Sequence, residues 1–439
     1  MKKLTAILLL IVCAILINPS LSNGHGVGHD HSDQKSSKVQ SPTDKLIESY
    51  KLKIDKEPND YYYHVKLGEL YIQKGREKGV IENYKRAEKA LMRASELNPD
   101  DYKIYLHLGR VSSYKHDFRA ALTYADKAIG LRPDKAAAYA LKGDAYLELG
   151  DYDGALKAYA LMLYLGPDFD SYTRVSRIRF LIGDTEGAVK AMEQAIDLSR
   201  KLDLPEENMA WADVMLGSLY FDSGEPEKSE LHYHNALVLF ENYYLALEHL
   251  GELYFQRGEY GKAASYYRRA IDVSPKPEYY LALGNVYREL GDTARSRSYY
   301  KRAEEQYEEY QRQGIKGHSR DLVLHYVDNN KNLDRALELA LLDSEGTEDI
   351  YAYDTLAWIY YKMGDTAKAE EAMNKALRLG TEDALLYYHA GMIHYEQHKV
   401  VKAKEYLGLS VAVNPQIHGS NPEEAGALLG EIIQSEGGF

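Results

Sequence analysis

Apolar residues recur every three or four positions from about Asp44 onward, and no stretch alternates in the two-residue rhythm of a half-buried strand. The pattern predicts helix throughout the body of the chain. Two stretches reveal how the helices are organised: LKGDAYLELGDYDGALKAY at 141–159 and HLGELYFQRGEYGKAASYY at 249–267. Gly, Tyr, Gly, Tyr, Ala and Tyr fall at the same offsets in both.

The same spacing can be followed along most of the sequence. A small residue recurs at Gly109, Gly143, Gly217, Gly251, Gly284, Ala357 and Gly391. Tyrosine follows it by three positions at Tyr146, Tyr220, Tyr254, Tyr287 and Tyr360, and glycine by seven at Gly150, Gly224, Gly258, Gly291 and Gly364. Further small residues follow, including Ala155, Ala263 and Ala369, then Ala128, Ala270 and Ala376. Prolines close several units, at Pro99, Pro133, Pro167, Pro275 and Pro415.

Each offset has a physical role. The glycine allows a left-handed residue to end the first helix. The small residues let two backbones approach in an antiparallel hairpin, and tyrosine and leucine at helical spacing fill the seams. Proline stops the second helix. One such hairpin cannot cover its own apolar face, whereas a stack can.

This helix-turn-helix pattern resembles the tetratricopeptide repeat family over roughly residues 45 to 415. The resemblance implies an all-α superhelical solenoid of about ten hairpins, with units beginning near Tyr61, Tyr102, Ala136, Phe169, Ala210, Tyr244, Pro277, Gly317, Ile350 and Ala384. The organisation expected is a secretory signal at 1–22, a flexible His-rich tether at 23–43, units one to four at 44–208, units five to seven at 209–316, units eight to ten at 317–415, and a capping helix and tail at 416–439. The register slips in four places: extra residues between the helices of unit one around Gly75 to Tyr84, Ser176 and a long linker from Leu198 to Asn208 in unit four, the extension EEQYEEYQRQ in unit seven, and Leu324 at the glycine position of unit eight.

Outside the repeats, Lys2 and Lys3 precede an apolar run from Leu4 to Ile17 and the small-residue pattern Ser20-Leu21-Ser22, the grammar of an export signal. The run is shorter than the ~20 residues of a membrane span. Export, to a periplasmic or secreted destination, is therefore the expectation. Cys13 is the sole cysteine and leaves with that signal, so stability rests on packing without disulfides. A net charge of −13, with no basic stripe, argues against a phosphate-binding, nucleic-acid role.

The resemblance also implies a concave groove lined by first helices. Projection onto that template offers Arg110, Arg177, Trp211, Phe221, Glu252, Phe255, Asn285, Arg288, Trp358, Tyr361, Lys362, Tyr388 and Tyr395 as partner-binding residues, with Asp222, Glu248, Tyr351 and Asp354 beside them. Aromatic side chains in such a groove serve either as binding anchors or as packing between repeats. No phosphate loop, nucleophile elbow or metalloprotease spacing accompanies them. The function expected is a non-enzymatic scaffold or adaptor of the cell envelope that holds a protein or peptide partner. Exported arrays of this kind resemble scaffolds in envelope assembly, secretion or polysaccharide export. The alternative is a metal-handling accessory protein, because His25, His29 and His31 in GHGVGHDH form a flexible tract suited to Cu(II), Ni(II) or Zn(II). The bland reading of the same tract is a soluble tether.

Overall fold

A computed structural model describes residues 41–313, 319–415 and 424–436. Among these residues there are 22 α-helices and no strand. The signal, nearly all of the tether and the three tether histidines lie outside the described residues. A single entry helix, α1 (Pro42–Lys56), leads into ten antiparallel hairpins. The hairpins are α2 (Tyr61–Lys78) with α3 (Ile81–Leu97), α4 (Tyr102–Tyr114) with α5 (Phe118–Leu131), α6 (Ala136–Glu148) with α7 (Tyr152–Leu165), and α8 (Phe169–Leu181) with α9 (Thr185–Lys201). They continue as α10 (Glu206–Asp222) with α11 (Pro226–Leu239), α12 (Tyr244–Gln256) with α13 (Tyr260–Val273), and α14 (Pro277–Glu289) with α15 (Thr293–Arg312). The last three are α16 (Arg320–Asp328) with α17 (Leu333–Asp343), α18 (Ile350–Lys362) with α19 (Thr366–Ala376), and α20 (Ala384–Glu396) with α21 (Val400–Val413), followed by α22 (Glu424–Glu436).

Local chemistry sets the helix ends. Aspartates at 60, 101, 168, 349 and 383 cap first helices by accepting hydrogen bonds from first-turn amides, and Asp117, Asp184, Asp292 and Asp365 do the same for second helices. First helices stop at a left-handed residue. Glycine supplies it at 150, 183, 224, 258, 291 and 364, while His116, Asn330 and His398 adopt the same conformation in units two, eight and ten.

Two expected irregularities differ in form. The extra residues of unit one do not bulge between its helices but lengthen both of them, because Gly75 sits against the Tyr84 ring and keeps the pair in register. The linker after unit four is confined to 202–205: α9 runs on to Lys201, Asp203 turns the chain, and α10 starts at Glu206 instead of Ala210. The expected start at Gly317 lies outside the described residues.

Inside most hairpins from unit three onward a size rule holds sixteen residues apart. Gly143, Gly217, Gly251 and Gly284 each lie under the ring of Tyr159, Tyr233, Tyr267 and Tyr300. Where the first position enlarges to Ser176 or Ala357, the second becomes the pliable Met192 or Met373, and Leu324 is matched by Ala340. Unit two departs from this, with Gly109 lying against Leu141 of the next hairpin. At Gly217 an added methyl would sit 2.6 Å from the Tyr233 ring, which is fully buried and cannot swing away. Gly217→Ala is therefore expected to destabilise the array by about 1–3 kcal/mol, the usual range for overpacking. Adding Tyr233→Met should recover part of the loss in urea denaturation; a double variant as unstable as the single one refutes the size rule.

The chain divides into two compact units, one of residues up to 145 with 153–167, the other of 146–152 with 168 onward. Within the second unit the coil returns to meet itself after nearly six hairpins. The Glu348 amide donates to the Leu149 carbonyl at 2.9 Å, Thr347 Oγ1 donates to the Glu148 carbonyl at 2.8 Å, and the Ile350 amide donates to Tyr152 Oη at 3.1 Å. One hairpin further on, Thr381 Oγ1 donates to the Leu181 carbonyl. Another hairpin on, Asn414 Nδ2 donates to the Phe221 carbonyl at 3.0 Å. Three successive first-helix ends are thus each closed by a segment 193 to 200 residues later.

Candidate protein-binding concavity

In the first unit, Arg110 lies on α4 beside a pair formed across neighbouring first helices by the buried His107 and the half-buried Glu69. His107 Nε2 lies 3.1 Å from Glu69 Oε1, and Lys66 donates to Glu69 Oε2 at 2.7 Å. Burial raises the Glu69 pKa, but these two hydrogen bonds outweigh it and bring the value down to about 2. Burial also lowers the pKa of His107, and the nearby positive charge of Arg110 adds to that effect.

The second unit gathers a different set of side chains. Asp222 ends α10; Glu248, His249 and Glu252 lie on α12; Lys276 and Glu278 lie where α13 passes to α14; Arg320 and Asp321 open α16; Asp354 lies on α18; and Asp383 caps α20. Their charges act on one another across these elements: Asp222 feels Asp383 and Glu252, Asp321 feels Glu278, Arg320, Glu252 and Lys276, and Asp383 feels Asp354. Direct bonds hold parts of the set. Tyr279 donates to Glu248 at 2.8 Å, His249 Nδ1 is 3.3 Å from Glu252, and Lys276 is 3.4 Å from Glu278. Arg320 lies 3.5 Å from Asp354, whose other oxygen meets His389 Nδ1 at 2.7 Å.

Asp321 reaches water, and Asp222, Glu248, Glu252 and Glu278 are half-buried, yet protein surrounds the group closely. The two facts together describe a wet concavity. Crowding by protein and by like charges then works on the carboxyls. Burial followed by the Glu278 charge pushes Asp321 up to about 6, and burial with Asp383 and Glu252 carries Asp222 well above the usual carboxyl range. Burial also raises Glu248 and Glu278, in spite of Lys276. His249 shifts upward: burial pulls its pKa down, but the Glu252 hydrogen bond and the Glu248 and Asp222 charges prevail.

The positions projected from sequence separate into two groups. Glu252 belongs to the concavity, and Asn285 accepts from Tyr300 at 2.8 Å. Arg288 is exposed and bonds to Glu289 and Asn329, Arg177 is exposed and pairs with Glu148 at 2.5 Å, and Tyr395 is 39% exposed. The second group is packing. Phe221, Trp358 and Tyr388 are buried, so they offer no free surface to a partner. Trp358 donates to Asp328 at 2.9 Å and stacks with Tyr361 and His389, with Lys362 over its ring. Trp211 lies edge-on to Phe169, and Phe255 packs against Tyr260. The reason is geometric: neighbouring first helices approach closely enough that these positions fall in the seam between them.

Lys276, Glu278, His249, Asp321 and Asp383 were not among the projected residues. Lys276 sits in a connection, Asp383 is a cap, and His249 falls between template positions, whereas Glu278 and Asp321 occupy the second and fifth positions of units seven and eight without having been projected. A cavity of about 390 Å³ opens between α15, α16 and α17, beside Tyr307, Leu322 and Tyr326. Among the described residues no cluster of three or more His, Cys, Asp or Glu could hold a metal, and no helix is long and apolar enough to cross a membrane.

Comparisons with known proteins agree with the architecture. Family models described as tetratricopeptide repeat match residues 113–168, 214–277 and 262–311, residues 350–383, and residues 169–202, together about half of the chain. No curated protein matches the sequence. Similar solved structures include human IFIT1, a dimer with PPP-AAAA, at 14% identity and a TM-score of 0.48 over 76% of this chain and 78% of that one. Yeast Tom70 is 14% identical with a TM-score of 0.39 over 90% and 93%, and MamA is 23% identical with a TM-score of 0.29 over 38% and 98%. With its hairpins, its glycine-terminated first helices and these matched segments, the chain belongs to the tetratricopeptide repeat family.

Proposed function

We propose that the protein is a non-enzymatic scaffold or adaptor of the cell envelope, which holds a partner protein or peptide on the first-helix face of its second unit. The observation that carries this reading is the concavity itself: polar side chains from successive first helices are kept half-buried and wet, where an apolar filling would stabilise the array better. Tetratricopeptide repeats generally bind protein partners, which makes a macromolecular occupant the natural one. The placement in the envelope rests on the composition of residues 1–22 alone.

Site-specific photo-cross-linking in cells that produce the full chain tests the proposal. A cross-linking residue at Glu252 or Asn285 should trap a discrete partner, while one at Val238, which is 85% exposed on the second helix α11, should not. Equal trapping at all three positions, or none at the first two, overturns it. Fractionation of the same cells tests the location separately.

A further inference from the structure

Resting on the scaffold reading, we infer that the concavity of the second unit recognises a basic, extended segment of its partner, rich in lysine or arginine, and releases it in acid. Six carboxylates, Asp222, Glu248, Glu252, Glu278, Asp321 and Asp383, act on one another here against two permanent cations, Lys276 and Arg320, the second of which is already paired with the buried Asp354. The imbalance is stored as mutual repulsion, which an incoming cation relieves and an incoming anion worsens.

A second observation points to a peptide as the carrier of that charge. The Tyr307 hydroxyl on α15 is buried beside Asp321 and Glu278, whose charges help hold its pKa far above the usual range after burial itself. Among the described residues it meets no hydrogen-bond partner. A buried hydroxyl left this way is costly, and a backbone carbonyl of an extended segment would satisfy it. The carboxylates are also distributed over several helices and do not converge on one point. That distribution suits charges spaced along a chain.

The acid response follows from the groups that surround Asp321. Glu278 and Glu252 raise its pKa, Arg320 and Lys276 lower it, and its net position near 6 lies where modest acidification neutralises it. His249, whose pKa is raised above the ordinary imidazole value by Glu252, Glu248 and Asp222 in spite of burial, takes up its proton before that value is reached. A cationic ligand prefers the ionised carboxyls, so its binding must weaken as pH falls through that value, with proton release on binding.

The test is fluorescence anisotropy of labelled octalysine and octaglutamate peptides with the full chain. Octalysine should bind near neutral pH, octaglutamate should not, and octalysine affinity should fall about tenfold by about pH 5. Asp321→Asn with Glu278→Gln should weaken octalysine about tenfold and flatten the pH dependence. Glu186→Gln with Glu227→Gln, both strongly exposed on second helices, should change little and controls for the acidity of the chain as a whole. Removing crowded carboxylates should not unfold the protein, and thermal denaturation of each variant verifies that. Equal losses in the two double variants, or absence of octalysine binding, overturns the inference. If Glu252 still cross-links a partner in that case, the scaffold reading survives without it.

Discussion

Gly150→Ala is expected to unfasten the coil of the second unit. Gly150 has φ +75°, and a methyl group there would run into the carbonyl of Glu348 and come within 2.6 Å of the Asp349 amide nitrogen. These are backbone atoms, which cannot rotate aside as a side chain can. Left-handed strain of about 1–2 kcal/mol adds to the loss of the Leu149–Glu348 hydrogen bond, about 1 kcal/mol. The total is about 2–3 kcal/mol, concentrated at one closure because repeat arrays distribute stability between neighbours. Hydrogen exchange reads it directly: the Glu348 amide should lose protection. Gly258→Ala is the matched control, since φ is +71° but nothing lies within 4 Å of the added carbon. If both variants leave Glu348 equally protected, the closure is not what holds the coil.

His389→Ala should be about as damaging for a different reason. Asp354 is fully buried, and its carboxylate relies on His389 at 2.7 Å and on Arg320 at 3.5 Å. The His389 ring also stacks on Trp358 with centroids 4.1 Å apart. Removing the imidazole leaves a buried charge with one distant partner, which typically costs about 3–5 kcal/mol. Unfolding of the last two hairpins, followed by Trp358 fluorescence, should move to lower urea. Asp354→Leu combined with His389→Phe should restore much of the loss, because an apolar pair of similar volume has no charge to desolvate. A single variant losing less than about 1 kcal/mol, or a double variant no better than the single, refutes this account.

These two sites show what a sequence reader can and cannot find. Asp354 was legible, because it occupies a first-helix position that the repeat template assigns to the groove. Its partner His389 was not, because nothing in the local pattern pairs residues 354 and 389. Trp358 shows the converse: the template placed it on the groove, but close approach of α18 and α20 drew its ring into the seam. Gly150 was recognised as a helix terminator from its offset alone, while its contact with Glu348 depends on how far the coil advances per hairpin.

The same division runs through the whole protein. The helices, their pairing into ten hairpins and most of their start points follow from local sequence, because periodicity, aspartate caps and terminating glycines act within a few residues. Tertiary structure alone decided that the second unit would close on itself, since small rotations between hairpins accumulate until segments about 200 residues apart meet. That closure lets the charge of Asp383 act on Asp222, while the stacking of neighbouring hairpins lets Glu252, Glu278 and Lys276 act on Asp321. The acidic concavity is therefore a product of superhelical geometry, since electrostatic coupling depends on distance through space and not on separation along the chain.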